Sequence, residues 1–133
     1  MLRILIALIL VAHGVGHSMG LLAVFRVATV NPAWDGSSWL LTGPAGKMAT
    51  QAVAVLLWTA AIVGFTALAA VVLGWLPSAW FTPLAVGSAV VSLVSLLLFP
   101  AAFPPFSTIG ALVVDLAVLG AVGWYHWLPG DPV

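Results

Sequence analysis

Residues 2–27, LRILIALILVAHGVGHSMGLLAVFRV, decide how this chain folds. Apart from Arg3 and Arg26 near its ends, the stretch is apolar over more than the ~20 residues that cross a bilayer as an α-helix. Inside it lies a polar island, His13-Gly14-Val15-Gly16-His17. Residues four apart share a helix face, so the two imidazoles fall on one side. Imidazole is costly to place in hydrocarbon, which makes an intramembrane histidine pair a candidate functional site. The run also exceeds the ~7–15 apolar residues of a signal peptide, so a retained first helix is expected.

The remaining sequence agrees with a lipid solvent. Of 133 residues, 64% are hydrophobic and 5% charged. A soluble domain carries about 25% charged residues, and this chain has too few to clothe a water-facing surface. The formal net charge is zero, Arg3, Arg26 and Lys47 balancing Asp35, Asp115 and Asp131. No basic patch exists for nucleic acid, so the expected partners are the lipid bilayer and other membrane chains, as a homodimer or in a larger membrane complex. With no cysteine, disulfides, thiolate metal sites and dithiol redox chemistry are all excluded.

Proline- and glycine-rich breaks divide the chain into four apolar segments, at about 2–27, 47–73, 80–99 and 107–128. Gly74 suits a C-terminal cap, Pro83 is tolerable in a first turn, and Ser107 reads as an N-cap. The loop at about 28–46 carries Asn31-Pro32, Asp35-Gly36 and Gly43-Pro44 turn chemistry beside Trp34, Trp39, Leu40 and Leu41. Its apolar residues predict packing on the bundle mouth. Two short connections follow, and short links make neighbours antiparallel. The expected fold class is therefore all-α: an integral membrane protein, one antiparallel four-helix transmembrane bundle with both termini on one side.

Trp75, Trp80, Trp124, Tyr125 and Trp127 are expected to belt the terminal side, and Trp34, Trp39, Phe103 and Phe106 the loop side. Trp58 falls mid-span, facing lipid or core. His126 lies with the aromatic residues near the end of the last helix.

Depth counting extends the histidine pair into a layer. At ~1.5 Å per residue from the loop-side helix ends (Phe25, Lys47, Phe99 and Ser107), His17 and Asp115 both lie about eight residues deep and Ser92 about seven. His13 and Thr59 lie about twelve deep and Ser88 about eleven. A carboxylate within Ala-Leu-Val-Val-Asp-Leu-Ala needs a partner, and a His17–Asp115 contact would supply one. Ser88, Ser92 and Ser95 share a helix face and extend the polar stripe. Ala12, Gly16 and Gly20 form a small-x-x-x-small ladder, read first as a helix-packing surface and second as room for a ligand.

Two chemistries suit such a layer. The first is a ligand site, in which His13, His17, Asp115, Ser88, Ser92 and Thr59 surround a hydrophobic or redox-active molecule such as a quinone. The second is a zinc or iron site on His13, His17 and Asp115, or a metal or proton pathway through them. H-G-V-G-H lacks the glutamate of H-E-x-x-H metalloproteases, and three histidines in all are too few for multi-histidine di-iron oxygenases. The competing class is a structural or accessory subunit whose polar residues only fix packing.

Arg3 at the mouth of the first helix and Gly14-x-x-His17 within a four-helix bundle resemble the DoxX-type small membrane proteins. That family typically has Gly-x-x-Lys where this chain has Gly14-x-x-His17. The resemblance implies an accessory or quinone-proximal role and spans the topology of the chain, with only a few matching positions.

Overall fold

A computed structural model describes residues 1–124 of the chain. Tyr125, His126, Trp127, Leu128 and Asp131 lie outside the described residues. The described chain is helical with no strand: α1 (Leu2–Gly16), α2 (Ser18–Val24), α3 (Thr42–Val72), a 3₁₀ turn (Ser78–Trp80), α4 (Phe81–Leu98) and α5 (Pro105–Gly123). Four spans are long and apolar enough to cross a membrane: Leu2–Val24, Thr42–Val72, Ser78–Leu98 and Pro105–Gly123.

Three boundaries differ from expectation, each for a local reason. The first span ends at Val24 because Arg26 takes a left-handed φ of 57°, and the Arg26 and Val27 amides turn back to the Ala23 and Leu22 carbonyls. α3 begins at Thr42, with Gly46 (φ 78°, ψ 164°) breaking it before the long straight run. α5 starts two residues before Ser107, with Pro104 as its N-cap and Pro105 in the first turn. A proline fits there because its missing N–H would have no intrahelical acceptor. Gly74 caps α3 as the sequence implies, its φ of 81° letting Gly74 and Trp75 donate to the Val71 and Ala70 carbonyls.

The first span is also interrupted at His17. Its amide reaches Gly14 O at 3.1 Å and its carbonyl accepts from Gly20 N at 3.1 Å, both three-residue links that tighten the helix. Gly14, His17 and Gly20 are all buried. A period of three is what a helix tightened at this point keeps on one face.

α3 is the hub. It packs against α1, α2 and α4, whereas α5 rests on α4 and barely touches α1. Side by side the order is α1, α3, α4, α5, and the seam from α5 back to α1 is open. Close packing and interhelical hydrogen bonds hold the helices together. Gly14 gives the packing. A Cβ there would lie 3.1 Å from Phe65 Cβ and 3.3 Å from the Ile62 carbonyl oxygen. Gly20 is tighter still, a Cβ there meeting the Trp58 ring at 2.6 Å.

Trp58 is fully buried, with Trp34, Phe99 and Phe103 ringed around it at 5.6–5.7 Å for Trp34, Phe99 and Phe103 centroids. Trp34 and Phe103 therefore build core rather than an interfacial belt. Trp39, Trp75, Trp80, Phe106 and Trp124 are exposed, as a belt requires.

The long loop straps the end of α4. Ser38 Oγ donates to Leu98 O at 2.6 Å and Trp39 Nε1 donates to Leu97 O at 2.8 Å. These are carbonyls that a helix end leaves without intrahelical donors. Asn31 Nδ2 adds a 2.8 Å bond to Ala101 O. Lys47 pairs with Asp35 at 3.4 Å, with both side chains largely exposed, and does not reach into the helices.

Candidate functional site

Asp115 is the only buried residue of α5 and is fully enclosed. Every other position of that helix is at least partly exposed, so the face α5 turns inward is chosen by its carboxylate. Oδ1 of Asp115 is hydrogen-bonded to His13 Nε2 at 3.0 Å, and Oδ2 accepts from Ser92 Oγ at 2.7 Å. Ser92 spends its one proton on Asp115, so its oxygen accepts from His17 Nε2–H at 3.1 Å. Ser95 Oγ donates to Ser92 O at 2.8 Å and completes the serine face. The chain His13–Asp115–Ser92–His17 thus ties the first span to α4 and α5.

The pairing differs by one turn from expectation: His13 meets Asp115 directly, and His17 reaches it through Ser92. The helix ends explain the shift. Asp115 stands ten residues after Pro105 and His13 eleven before Val24, so these two lie level.

Thr59 does not join the layer. It is exposed on α3 because the neighbouring Trp58 turns inward, and one residue is ~100° around the helix. Counting residues gives depth but not rotation. Ser88 is buried, yet its hydroxyl has no partner and lies against Gly64 instead of the histidines.

The ladder of small residues splits as well. Gly20 packs on Trp58, while Ala12 is exposed and a Cβ on Gly16 would have open space around it. Ala12 and Gly16 line a cavity of about 190 Å³ with His13, His17, Met19, Leu96, Phe103, Ser107 and Ala111. Within the described chain these two positions pack on no neighbouring helix. Their smallness leaves space beside the imidazoles.

On the other side of the His13–Asp115 contact the same seam opens into a cleft of about 590 Å³. Ile6, Ile9 and Leu10 form one wall, Val113, Val114, Ala117, Val118 and Ala121 the other, and Leu68, Val72 and Phe81 the floor. No polar side chain lines it.

Within the smaller cavity His17 is 3% exposed and its Nδ1 has no hydrogen-bond partner. Phe103, which the sequence assigns to a belt, stands edge-on to the His17 ring at 6.1 Å. Met19, Leu96, Phe103, Ser107 and Ala111 carry no signal in the sequence that separates them from other apolar or capping positions.

Both Nε2 atoms are hydrogen-bonded to protein side chains, and no cluster of three or more histidine, cysteine, aspartate or glutamate side chains able to hold a metal ion occurs among the described residues. No family model, characterised protein or solved structure matches the chain.

Proposed function

We propose that this is a multi-pass integral membrane protein, its four spans antiparallel with the termini on one side. It binds a hydrophobic ligand with a small polar head, quinone-like in build, in the seam between α1 and α5. One observation carries the reading: a buried polar layer divides that seam into an apolar cleft of about 590 Å³ and a histidine-lined cavity of about 190 Å³. Small-molecule sites usually measure ~300–1,000 Å³, lined by hydrocarbon with a few placed polar groups. An apolar cavity of about 150 Å³ holds benzene, so the smaller space admits one six-membered ring. The cleft offers a hydrocarbon tail the apolar wall from Val113 to Ala121 of α5, and the DoxX-type resemblance of Gly14-x-x-His17 points to the same class of ligand.

A structural role has its own support, since the hydrogen bonds from His13 to His17 cross three helices and leave no Nε2 or carboxylate oxygen without a partner. Such a subunit would use the layer to set helix rotation. The two readings separate on one preparation. Protein purified in mild detergent is extracted with organic solvent, and the extract is analysed by mass spectrometry beside that of Gly16→Leu. The ligand reading expects a stoichiometric lipid-soluble molecule that Gly16→Leu loses while its helicity and melting are kept. An empty extract, or equal retention by the variant, removes it.

A further inference from the structure

A second polar constellation stands apart from the histidine layer, where the first span, the long loop and α3 meet. Arg26, Thr29, Asn31, Asp35 and Gln51 line a cavity there of about 320 Å³. Arg26 comes two residues after the first span ends at Val24, and Gln51 stands one turn after Lys47 at the start of the long run of α3. With the four spans across a bilayer, that end is the level of the lipid headgroups.

The polar groups around this cavity are largely unspent. The Arg26 guanidinium and the Gln51 amide make no hydrogen bond or ion pair among the described residues. Arg26 is also the sole non-glycine residue among them with a left-handed φ. Glycine is the usual residue at such a helix end, because a Cβ is crowded in that conformation. An arginine held there points to a use for its side chain.

Asp35 brings the opposite charge. Ser37 N–H donates to its Oδ1 at 3.0 Å and keeps the carboxyl ionised at neutral pH. Lys47 Nζ stands 3.4 Å from Oδ2, an exposed and long pair that leaves the carboxylate room for another donor. Gly36 fixes this wall, since a Cβ there would collide with the Gln51 amide. One cation and one anion therefore line the same cavity. Asp35 repels a plain anion and Arg26 repels a plain cation.

We infer that the cavity binds the head of a zwitterionic phospholipid with a primary amine, of the phosphoethanolamine type. The phosphate lies on the Arg26 guanidinium, whose paired N–H donors match two phosphate oxygens. The ammonium donates to Asp35. Gln51, donor and acceptor in one amide, bonds to either half. A choline head has no N–H for Asp35, and a glycerol head has no cation for it. The site rests on the membrane-spanning part of the reading above and not on the α1–α5 seam.

The test titrates the full chain in mild detergent with an equimolar mixture of dioleoyl phosphatidylethanolamine, phosphatidylcholine and phosphatidylglycerol. Bound lipid is read by native mass spectrometry. Phosphatidylethanolamine is expected to exceed each of the others about fivefold, the scale of one charge-assisted hydrogen bond at a partly wet site. Asp35→Asn should bring the ethanolamine and choline lipids level, and Arg26→Gly should lower retention of all three. Arg26→Gly also relieves the backbone, so its melting temperature should hold or rise. Gly16→Leu, which fills the seam cavity, should change none of this.

A lower melting temperature for Arg26→Gly with unchanged lipid preference would mark the arginine as structural and overturn the site. Preference for phosphatidylglycerol, increased by Asp35→Asn, would replace the zwitterion with a plain anion. Equal retention of the three lipids would remove the site altogether. Glycerophosphoethanolamine, the same head without chains, should not compete at equal concentration; if it does, the lipid assignment falls to a soluble zwitterion. Release of the chain from membranes by alkaline carbonate would sink the membrane reading and this one with it, whereas retention without lipid preference sinks this one alone.

Discussion

The first span meets two neighbours in opposite ways. Against α3 it is sealed: Gly14 lies close on Phe65 and Ile62, and Gly20 lies on the Trp58 ring with no room for one added carbon. Against α5 it is held at one point, the 3.0 Å His13–Asp115 contact, with space above and below. Glycine lets backbones close and hydrocarbon interlock, whereas a hydrogen bond between side chains keeps the two backbones a side chain's length apart. A seam made the second way has cavities beside its contact.

The sharpest way to break the contrast is to remove the joint. Asp115→Ala strands the His13 N–H and the Ser92 hydroxyl, two buried groups at ~1–3 kcal/mol each, and should be the most destabilising change in the chain. Unfolding titrations in bicelles would measure it. A loss under ~1 kcal/mol would mean that α5 is held by apolar packing instead, as measured membrane hydrogen bonds of ~0.6 kcal/mol allow. Asp115→Asn keeps an acceptor for one donor and should fall between the two.

The next effect comes from the sealed side. Gly20→Ala drives a carbon into a fully buried indole and should cost ~1–3 kcal/mol by overpacking. Gly16→Ala, four residues away, meets nothing and replaces glycine in a helix, so it should stabilise by up to ~1 kcal/mol. If the two variants melt alike, the seams are not as different as they look.

The smallest effect lies outside both seams and serves as their control. Hydrogen bonds from the Ser37 side chain and amide, with Lys47 nearby, hold the Asp35 carboxyl below the usual carboxylate range. The charged form is thus favoured in the folded state. Its contribution is present above the ordinary carboxylate pKa and fades as pH falls through the lower folded value. Because Asp35 is exposed, the change in melting between pH 6 and pH 3 should differ only slightly from that of Asp35→Asn. A large difference would give the loop a weight in stability that its geometry does not suggest.

Much of this was legible in the chain. Four hydrophobic runs, their glycine and proline breaks, the Gly74 cap and the burial of Asp115 with two histidines all follow from residue type and order. His13, His17, Ser92 and Asp115 are each placed at the right depth to within a turn. Thr59 is level with the layer but turned away from it, and the cause is general. A soluble amphipathic helix declares its inner face through its polar stripe. Helices that are apolar all round have no such stripe, so their rotation is invisible in sequence.

What the sequence by itself determined is which segments are apolar enough for a bilayer and how deep each polar group sits, because both depend only on counting along a helix of fixed rise. Tertiary structure decided the rotation: that Trp58 and not Thr59 turns inward, that His13 and not His17 meets Asp115, and that Gly16 faces a cavity while Gly20 is sealed. Those outcomes turn on interhelical contact. The tightening at His17 and the two-residue advance of α5 move a face by a large fraction of a turn, and only packed neighbours select among such shifts.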